Sequence, residues 1–212
     1  MSILPNCISI LAILLFSGSE LFSQPFHGGI TAGFTASQVD GDSYSGYNKP
    51  GLQAGVFVAA ELLPWLDARM EIKYTSRGAR EPADDDNTGS YLLGLHYIDI
   101  PVMASMKYKK IGALELGLIP GYLFKAAGED DAGKLPDEYL VDFHQFDLGL
   151  LIGTEVYITH KIAVNIRYSY SIFSIRDLDS AGSFYSWFGK IFGHSKGDFN
   201  NYLALGVSYR IR

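Results

Sequence analysis

Apolar and polar side chains alternate with a period of two residues in eight segments of this chain. The clearest segment is 161–173, where every second residue from Ile162 to Ile172 is apolar and polar residues such as Asn165 and Arg167 lie between them. Successive side chains of a β-strand point to opposite faces, so this period predicts a strand with one apolar and one polar face.

Eight strands are predicted from this alternation, at residues 28–38, 51–62, 66–77, 91–108, 113–124, 143–158, 161–173 and 199–212. Each is long enough to cross the apolar layer of a membrane, which takes about 9 to 11 residues of tilted strand. In the last strand the apolar face is predicted to carry Phe199, Asn201, Leu203, Leu205, Val207, Tyr209 and Ile211. Periodicity alone does not decide whether the apolar faces point to a core or to lipid.

The lengths of the connections favour lipid. Long connections at 39–50, 78–90, 125–142 and 174–198 alternate with short ones at 63–65, 109–112 and 159–160. Bacterial outer-membrane barrels have short periplasmic turns and long external loops, whereas a soluble barrel has no reason to sort its loops. The sequence therefore predicts an all-β fold, an eight-stranded antiparallel up-and-down transmembrane β-barrel in the outer membrane, and we expect it to be a monomer.

The amino terminus favours export. Residues 8–16 are apolar except for Ser9, and small residues follow them, although no Lys or Arg precedes the run. This is typical of a secretory signal peptide and too short for a membrane-spanning helix. We expect a signal peptide at 1–23, cleaved after Ser19 or Ser23, and a barrel domain at 24–212. The alternative is a buried amino-terminal helix.

Composition excludes several kinds of site. The only cysteine, Cys7, lies in the predicted leader, so the exported chain would have no disulfide and no thiolate ligand. The net charge is −6 and the basic residues are scattered, which gives no footprint for nucleic acid. We expect no cofactor and no metal site. Outer-membrane lipid is the partner that the apolar faces imply.

The polar faces of the strands carry many charges of both signs. The predicted inward charge network consists of Glu61, Arg69, Glu71, Lys73, Asp99, Glu115, Asp147, Glu155, Arg167 and Arg210, and Asp67 and Lys107 also face inward. Eight strands enclose a lumen that side chains can fill, so these charges are expected to pair as a structural polar core. Inward glycines such as Gly55 and Gly153 would leave room for long side chains. A narrow ion path through the lumen remains the alternative.

Three segments resemble the PorT-like outer-membrane β-barrel family. They are Gly51 to Val56, Tyr74-Thr75-Ser76-Arg77-Gly78-Ala79, and Tyr97-Ile98-Asp99-Ile100-Pro101-Val102. The resemblance implies an eight-stranded barrel of OmpA/OmpX-like size in an outer membrane. It also implies a link to protein secretion across that membrane, which is known for a few members of the family.

Pro101 lies inside the predicted fourth strand. Proline lacks the N–H that a sheet needs and is normally confined to edges and bulges, and a closed barrel has no edge. We therefore predict a bulge or a local break of the strand at this position.

Two kinds of loop sequence are candidates for function. Asp84-Asp85-Asp86-Asn87 and Glu129-Asp130-Asp131 predict a solvated acidic outer rim, which lacks the ligand spacing of an EF-hand but would attract divalent cations. In the last loop an aromatic patch is formed by Phe184, Tyr185, Trp187, Phe188 and Phe192. It predicts either a short amphipathic helix over the barrel mouth or a contact surface for another envelope protein or a glycan.

Catalysis is the third class of function to consider. His96 and His144, with Ser90 and Ser174, are the residues that an outer-membrane lipid hydrolase would need, but no spacing links them. We expect no enzymatic activity. The expected role is structural, surface interaction or accessory to secretion, with a narrow pore or a lipid hydrolase as alternatives.

Overall fold

The computed structural model describes residues 25–42, 46–83, 89–136, 140, 143–176 and 197–211. This part of the chain forms strands β1 Phe26–Asp40, β2 Lys49–Leu63, β3 Leu66–Glu81, β4 Tyr91–Asp99, β5 Val102–Tyr108, β6 Gly112–Asp130, β7 Gly133–Lys134, β8 Phe146–Tyr157, β9 Ile162–Ser171 and β10 Phe199–Arg210. No helix within these ranges is long and apolar enough to cross a membrane.

The strands close into a ring. All pairings between named strands are antiparallel, in the order β2, β1, β10, β9, β8, β6, β4 with β5, β3, and β3 pairs with β2 again. Strands β4 and β5 both pair with β3 and β6 and share one place in the ring, while β7 pairs only with the end of β6. The ring therefore has eight places, which confirms the predicted fold class.

The two faces of the wall differ as the alternation predicts. Apolar side chains point away from the axis and are about half exposed, among them Phe34, Ile72, Leu116, Ile152 and Leu205. Charged side chains point to the lumen and are buried, as the network below shows. Closing the ring gives nearly every backbone donor and acceptor of the wall a partner, which a lipid environment requires.

The fourth barrel strand is interrupted at Ile100 and Pro101, so the predicted local break is present. The register does not shift there, because Lys73 pairs with Asp99 and Met70 with Val102 on either side of the gap. A bulge at Pro101 is therefore the wrong reading. The Glu71 N–H still donates to the Pro101 carbonyl over 2.9 Å, and only the donor that proline lacks is lost.

The bulge lies in the neighbouring strand instead. His96 is paired with Lys125 and Tyr97 with Leu123, which leaves Phe124 as an extra residue in β6. An extra residue exchanges the two faces of a strand, so the alternation that marks 113–124 does not continue in phase. Strand β6 nevertheless extends to Asp130 and β3 extends to Glu81. The predicted loops 125–142 and 78–90 are therefore too long.

Two residues of the last strand were assigned to the exposed face incorrectly. Phe199 is fully buried and stacks on Tyr170, with the ring centroids 6.0 Å apart. Asn201 is also buried, because it accepts a hydrogen bond from the Tyr47 hydroxyl and donates one to Asp40. At this end of the barrel, neighbouring side chains cover two outward positions that the two-residue period predicts to be exposed.

Several predicted features lie outside the described residues. These are the signal peptide at 1–23 with cleavage after Ser19 or Ser23, the acidic run Asp84-Asp85-Asp86-Asn87 and the aromatic patch of Phe184, Tyr185, Trp187, Phe188 and Phe192. They remain predictions from the sequence.

Candidate functional site

The middle of the lumen is organised around Arg167 of β9. Its guanidinium makes a two-pronged ion pair with Glu115 of β6, with N···O distances of 2.7 and 2.9 Å. A further nitrogen of the same group lies 2.9 Å from Glu71 of β3, across the barrel. Because the planar guanidinium presents several donors at once, one arginine joins carboxylates from two separate strands.

Arg69 and Lys73 of β3 complete this central network. Arg69 lies 2.8 Å from Glu71 and 2.7 Å from Glu155 of β8, and its guanidinium carbon lies 4.0 Å from the centre of the Phe57 ring. Lys73 lies 3.8 Å from Glu71, and its ammonium donates to the side-chain oxygen of Gln53. Three cations thus face the three carboxylates of Glu71, Glu115 and Glu155.

The balance of charge makes these buried groups tolerable. The side chains of Arg69, Lys73, Glu71 and Glu115 are all 5% exposed or less. A buried charge without a partner is strongly unfavourable, whereas a fully paired set holds its members in fixed positions. The network therefore fills the lumen and ties β3, β6, β8 and β9 together across the axis.

Two glycines make space for these long side chains. A Cβ atom at Gly153 would lie 2.7 Å from Cγ of Arg167, and one at Gly55 would lie 2.5 Å from Cβ of Lys73. Both distances are shorter than two carbon atoms can approach. Glycine at these positions lets the arginine and lysine stems lie against the neighbouring strand.

A second layer lies nearer the long loops and is built around Arg77 of β3. Its guanidinium lies 3.0 Å from Asp99 of β4 and 3.5 Å from Asp147 of β8. The same group lies over the ring of Tyr97, 3.7 Å from its centre, and within 5.2 Å of the ring of Tyr202. A cation in this setting is held by charge on its edges and by aromatic rings on its faces.

Hydrogen bonds extend the second layer to β9 and β10. Ser171 and Asn200 both donate to one carboxylate oxygen of Asp147, over 2.9 and 3.0 Å, and Asn200 also donates to the Tyr97 hydroxyl. The predicted inward charge network includes Asp99 and Asp147 but not the cation between them. The alternation puts Arg77 on the inward face, yet only the closed ring brings it between two aspartates of other strands.

An apolar cluster closes the lumen above this layer, and we call it the apolar plug. It consists of Val39, Ala79, Leu93, Leu95, Tyr97, Leu123, Phe143 and Ile175. Leu95 and Ile175 are completely buried. Polar groups reach the long-loop end beside the plug, because Arg176 lies 2.6 Å from the buried Asp198 and its guanidinium carbon lies 4.9 Å from the centre of the Phe143 ring.

The candidate catalytic residues do not meet in a nucleophile–base pair. The Tyr74 hydroxyl lies 2.6 Å from Nδ1 of His96 on the outer wall, while Nδ1 of His144 lies 3.1 Å from the backbone oxygen of Ser174. The Ser174 hydroxyl donates to the backbone oxygen of Arg176. A Ser–His mechanism needs the hydroxyl itself at the imidazole.

The described part of the acidic rim is the tip of a hairpin at the end of β6, and hydrogen bonds hold it in place. The hydroxyl and the backbone N–H of Ser90 both donate to Asp131, and these bonds hold the pKa of that carboxyl below its usual value. Glu129 and Asp130 belong to the end of β6 and pair with Lys134 and Gly133. Among the described residues, no group of three or more His, Cys, Asp or Glu side chains is placed to hold a metal ion.

The barrel architecture agrees with comparison at the level of sequence families. Residues 22–177 match the model of the outer membrane protein beta-barrel domain. The chain belongs to this family. It is therefore an integral protein of the outer membrane, with the apolar wall in lipid. Comparison with curated proteins gave no match.

Three solved structures of outer-membrane or surface proteins are similar to this chain over most of their length. Ail, the attachment invasion locus protein of Yersinia pestis, is 14% identical with a TM-score of 0.48 over 87% of this chain and 98% of its own. Neisserial surface protein A is 14% identical with a TM-score of 0.49, over 87% and 96%. OprG of Pseudomonas aeruginosa is 10% identical with a TM-score of 0.37, over 88% and 94%.

In an outer-membrane barrel the end with short turns faces the periplasm. At this end the Lys107 ammonium of β5 lies 2.8 Å from Glu61 of β2 and 2.8 Å from Asp67 of β3. The Glu61 side chain is 42% exposed and lies at the rim of the barrel. The Lys107 and Asp67 side chains are only 16% and 8% exposed, so the ion pair between them is largely shielded from water.

Replacing Lys107 with methionine should lower the free energy of unfolding by about 1–3 kcal/mol, because it leaves the largely buried Asp67 carboxylate without its counter-ion. Urea unfolding of the folded barrel in micelles measures this change. A loss below about 0.5 kcal/mol, the range for surface substitutions, would contradict the burial of this ion pair.

Arg210 occupies a different place from the one predicted. The period predicts it in the inward charge network, but it lines the periplasmic mouth with His27, Lys109 and Lys110, and a small cavity with Arg69 and Glu155 of the central network. No carboxylate of the described chain forms an ion pair with it. The reason is its position at the last residue of β10, where the wall ends and the side chain reaches the mouth. The other nine predicted network residues all take part in ion pairs.

Proposed function

We propose that this outer-membrane barrel acts at its external loops and not through its lumen, as a surface-interaction or secretion-accessory protein without catalytic activity. The observation that carries the proposal is that packed side chains occupy the lumen. Paired charges fill its middle and the apolar plug lies above them. A function that needs transport through the barrel would require both layers to open.

The accessory role in secretion is supported by the PorT-like segments. Two of them, Tyr74 to Ala79 and Tyr97 to Val102, supply Arg77 from one and Tyr97 and Asp99 from the other. These three residues contact one another inside the second layer. The PorT-like segments therefore supply an ion pair and a cation–ring contact inside the lumen. This use of their residues supports placing the chain in a PorT-like group within the larger family.

The surface role is carried by the last external loop in this proposal. The aromatic patch of residues 184–192 provides apolar area in a segment that connects two membrane-spanning strands on the external side. Aromatic residues that cluster in an external loop suit recognition or interfacial anchoring. Another envelope protein or a glycan is the class of partner that such a surface suits.

The proposed absence of catalysis is supported by the contacts of the candidate residues. His96 is engaged with Tyr74, and His144 faces a backbone oxygen of Ser174 instead of its hydroxyl. Each imidazole has a structural partner, which is the usual role of a single histidine in a barrel wall.

Cross-linking in intact cells tests the surface role. We expect the full-length chain to cross-link to an envelope protein or surface glycan, and deletion of residues 183–193 to abolish the adduct. Deletion of the acidic tip at 84–88 is the matched control and should leave the adduct intact. An adduct that survives deletion of 183–193 would contradict the proposed contact surface.

Conductance in planar bilayers tests the alternative of a narrow pore. The reconstituted barrel should show no steady ion current, because the apolar plug and the ion-paired layers occupy its cross-section. A steady conductance of the wild-type protein that depends on the charge of Arg167 would instead assign the lumen to ion passage and overturn the proposal.

A further inference from the structure

The two ends of the lumen are built differently. At the external end the apolar plug packs beside the buried ion pair of Arg176 and Asp198. At the periplasmic end the lumen widens into a cavity of about 610 Å³. We call this cavity the periplasmic vestibule, and its walls include His27, Glu61, Asp67, Lys107, Lys109 and Arg210. Its strand residues belong to inward-facing positions, so it opens along the barrel axis and not towards the lipid.

The two carboxylates of the vestibule share one of its cations. Glu61 and Asp67 both contact Lys107, which lies 2.8 Å from each of them. Lys107, Lys109, Lys110 and Arg210 outnumber these two carboxylates, which leaves an excess of two positive charges along the walls.

The remaining cations of the vestibule have no such partner. Arg210, Lys109 and Lys110 line it without an ion pair to any carboxylate of the described chain. Arg210 is only partly exposed, and the imidazoles of His27 and His160 add further donors to the same walls. The vestibule is therefore a cationic site in a chain whose net charge is −6. Such a local reversal of sign attracts anions to this one place.

The turn between β5 and β6 fixes part of the site. Lys109 has a positive φ of 53°, and the N–H of Ile111 donates to the carbonyl of Tyr108. The Lys109 ammonium lies 5.3 Å from the centre of the Tyr108 ring. A tight turn with a residue in the left-handed region thus places two successive exposed lysines at the rim of the vestibule.

We propose that the periplasmic vestibule binds an acidic peptide segment of a periplasmic protein, with Arg210, Lys109 and Lys110 as the groups that receive its carboxylates. A lipid phosphate fits less well, because the walls face the axis while lipid headgroups lie outside the ring. A single inorganic anion would leave most of the cavity unfilled. The proposal concerns the end of the barrel opposite to the external loops and is independent of the role proposed for them.

A labelled decaglutamate peptide is the probe for this site. Fluorescence anisotropy with the mature chain folded in uncharged micelles should show saturable binding that weakens with salt, and none for decaglutamine. Arg210→Gln should weaken binding by roughly fivefold, as expected for loss of a partly exposed charge contact. The double variant Lys109→Asn and Lys110→Gln should weaken it at least as much. Asparagine is chosen because it tolerates a positive φ.

Lys125→Gln is the matched control, since it removes one exposed cation at the external end of β6. It should leave the affinity unchanged. Equal losses in all three variants would show attraction to net charge only and overturn the proposal, as would absence of binding by the wild type. Displacement of the peptide by inorganic phosphate below about 1 mM would reassign the site to phosphate. The double variant alters only an exposed turn, so its result does not depend on the folding of Arg210→Gln.

Discussion

Replacing Arg167 with methionine should lower the free energy of unfolding of the barrel by about 3–5 kcal/mol, the range found when one partner of a buried ion pair is removed. Arg167 is 2% exposed and joins Glu115 to Glu71 across the lumen. Without it, the two buried carboxylates keep only Arg69 and Lys73 as counter-ions. The measurement is urea unfolding in lipid vesicles, followed by the electrophoretic mobility of the folded barrel.

Two further variants show whether the effect comes from charge. Arg80→Met removes an exposed arginine of β3 that has no ion pair in the described chain, and it should change stability by less than about 0.5 kcal/mol. The triple variant Arg167→Met, Glu71→Gln, Glu115→Gln should recover part of the loss, because it no longer buries unpaired charge. If Arg167→Met unfolds at the same urea concentration as the wild type, Arg167 does not organise the lumen.

Replacing Leu95 with alanine should lower the free energy of unfolding by about 2–5 kcal/mol, the range for leucine-to-alanine changes in packed cores. Leu95 is fully buried in the apolar plug with Leu93, Phe143 and Ile175. Its removal leaves a cavity that a rigid barrel wall cannot close by moving inward. The same unfolding measurement applies.

Leu92→Ala is the matched control for the plug, because Leu92 lies on the same strand but points outward and is 38% exposed. Leu92 is paired with Arg80 and Glu129 at the external rim and stays exposed in the folded barrel, so the loss of its side chain should have little effect. Equal losses for the two variants would mean that the apolar plug contributes no more than an exposed position of the same strand. Conductance of Leu95→Ala should stay at the wild-type level, since the charged layers below the plug remain.

The charged middle and the apolar plug differ in what they require of the sequence. In the middle, each side chain must find a partner of opposite charge on another strand, so one substitution affects several partners. In the plug, size and apolar character are sufficient. The central network is therefore the part of the lumen that we expect to tolerate substitution least.

The period of two residues determined the strands and the faces of this protein. An apolar outer wall and a polar inner wall follow from residues such as Ile166 and Arg167, because neighbouring side chains of a strand must diverge. The alternation of long and short connections then gives an antiparallel barrel with eight places. The break at Pro101 is also local, since it depends on a missing N–H and not on the neighbours.

The two-residue period cannot predict features that depend on how two strands pair. The bulge at Phe124 becomes visible only as a change of partner between β4 and β6. Beyond it the alternation of β6 is out of phase, which hid the extension of this strand to Asp130. Phe199 and Asn201 have outward positions in sequence, but Tyr170, Tyr47 and Asp40 cover them.

The sequence by itself determined which charges face the lumen, whereas only the tertiary structure decided which of them pair. The inward positions of Arg77, Asp99 and Asp147 follow from their places in their strands, but their contact requires β3, β4 and β8 to meet around one axis. Arg210 shares the inward direction and yet lines the vestibule without an ion pair to a described carboxylate, because it is the last residue of β10. The direction of a side chain follows from its position in one strand. Its height along the barrel axis and its ion-pair partners depend on the stagger of all eight strands.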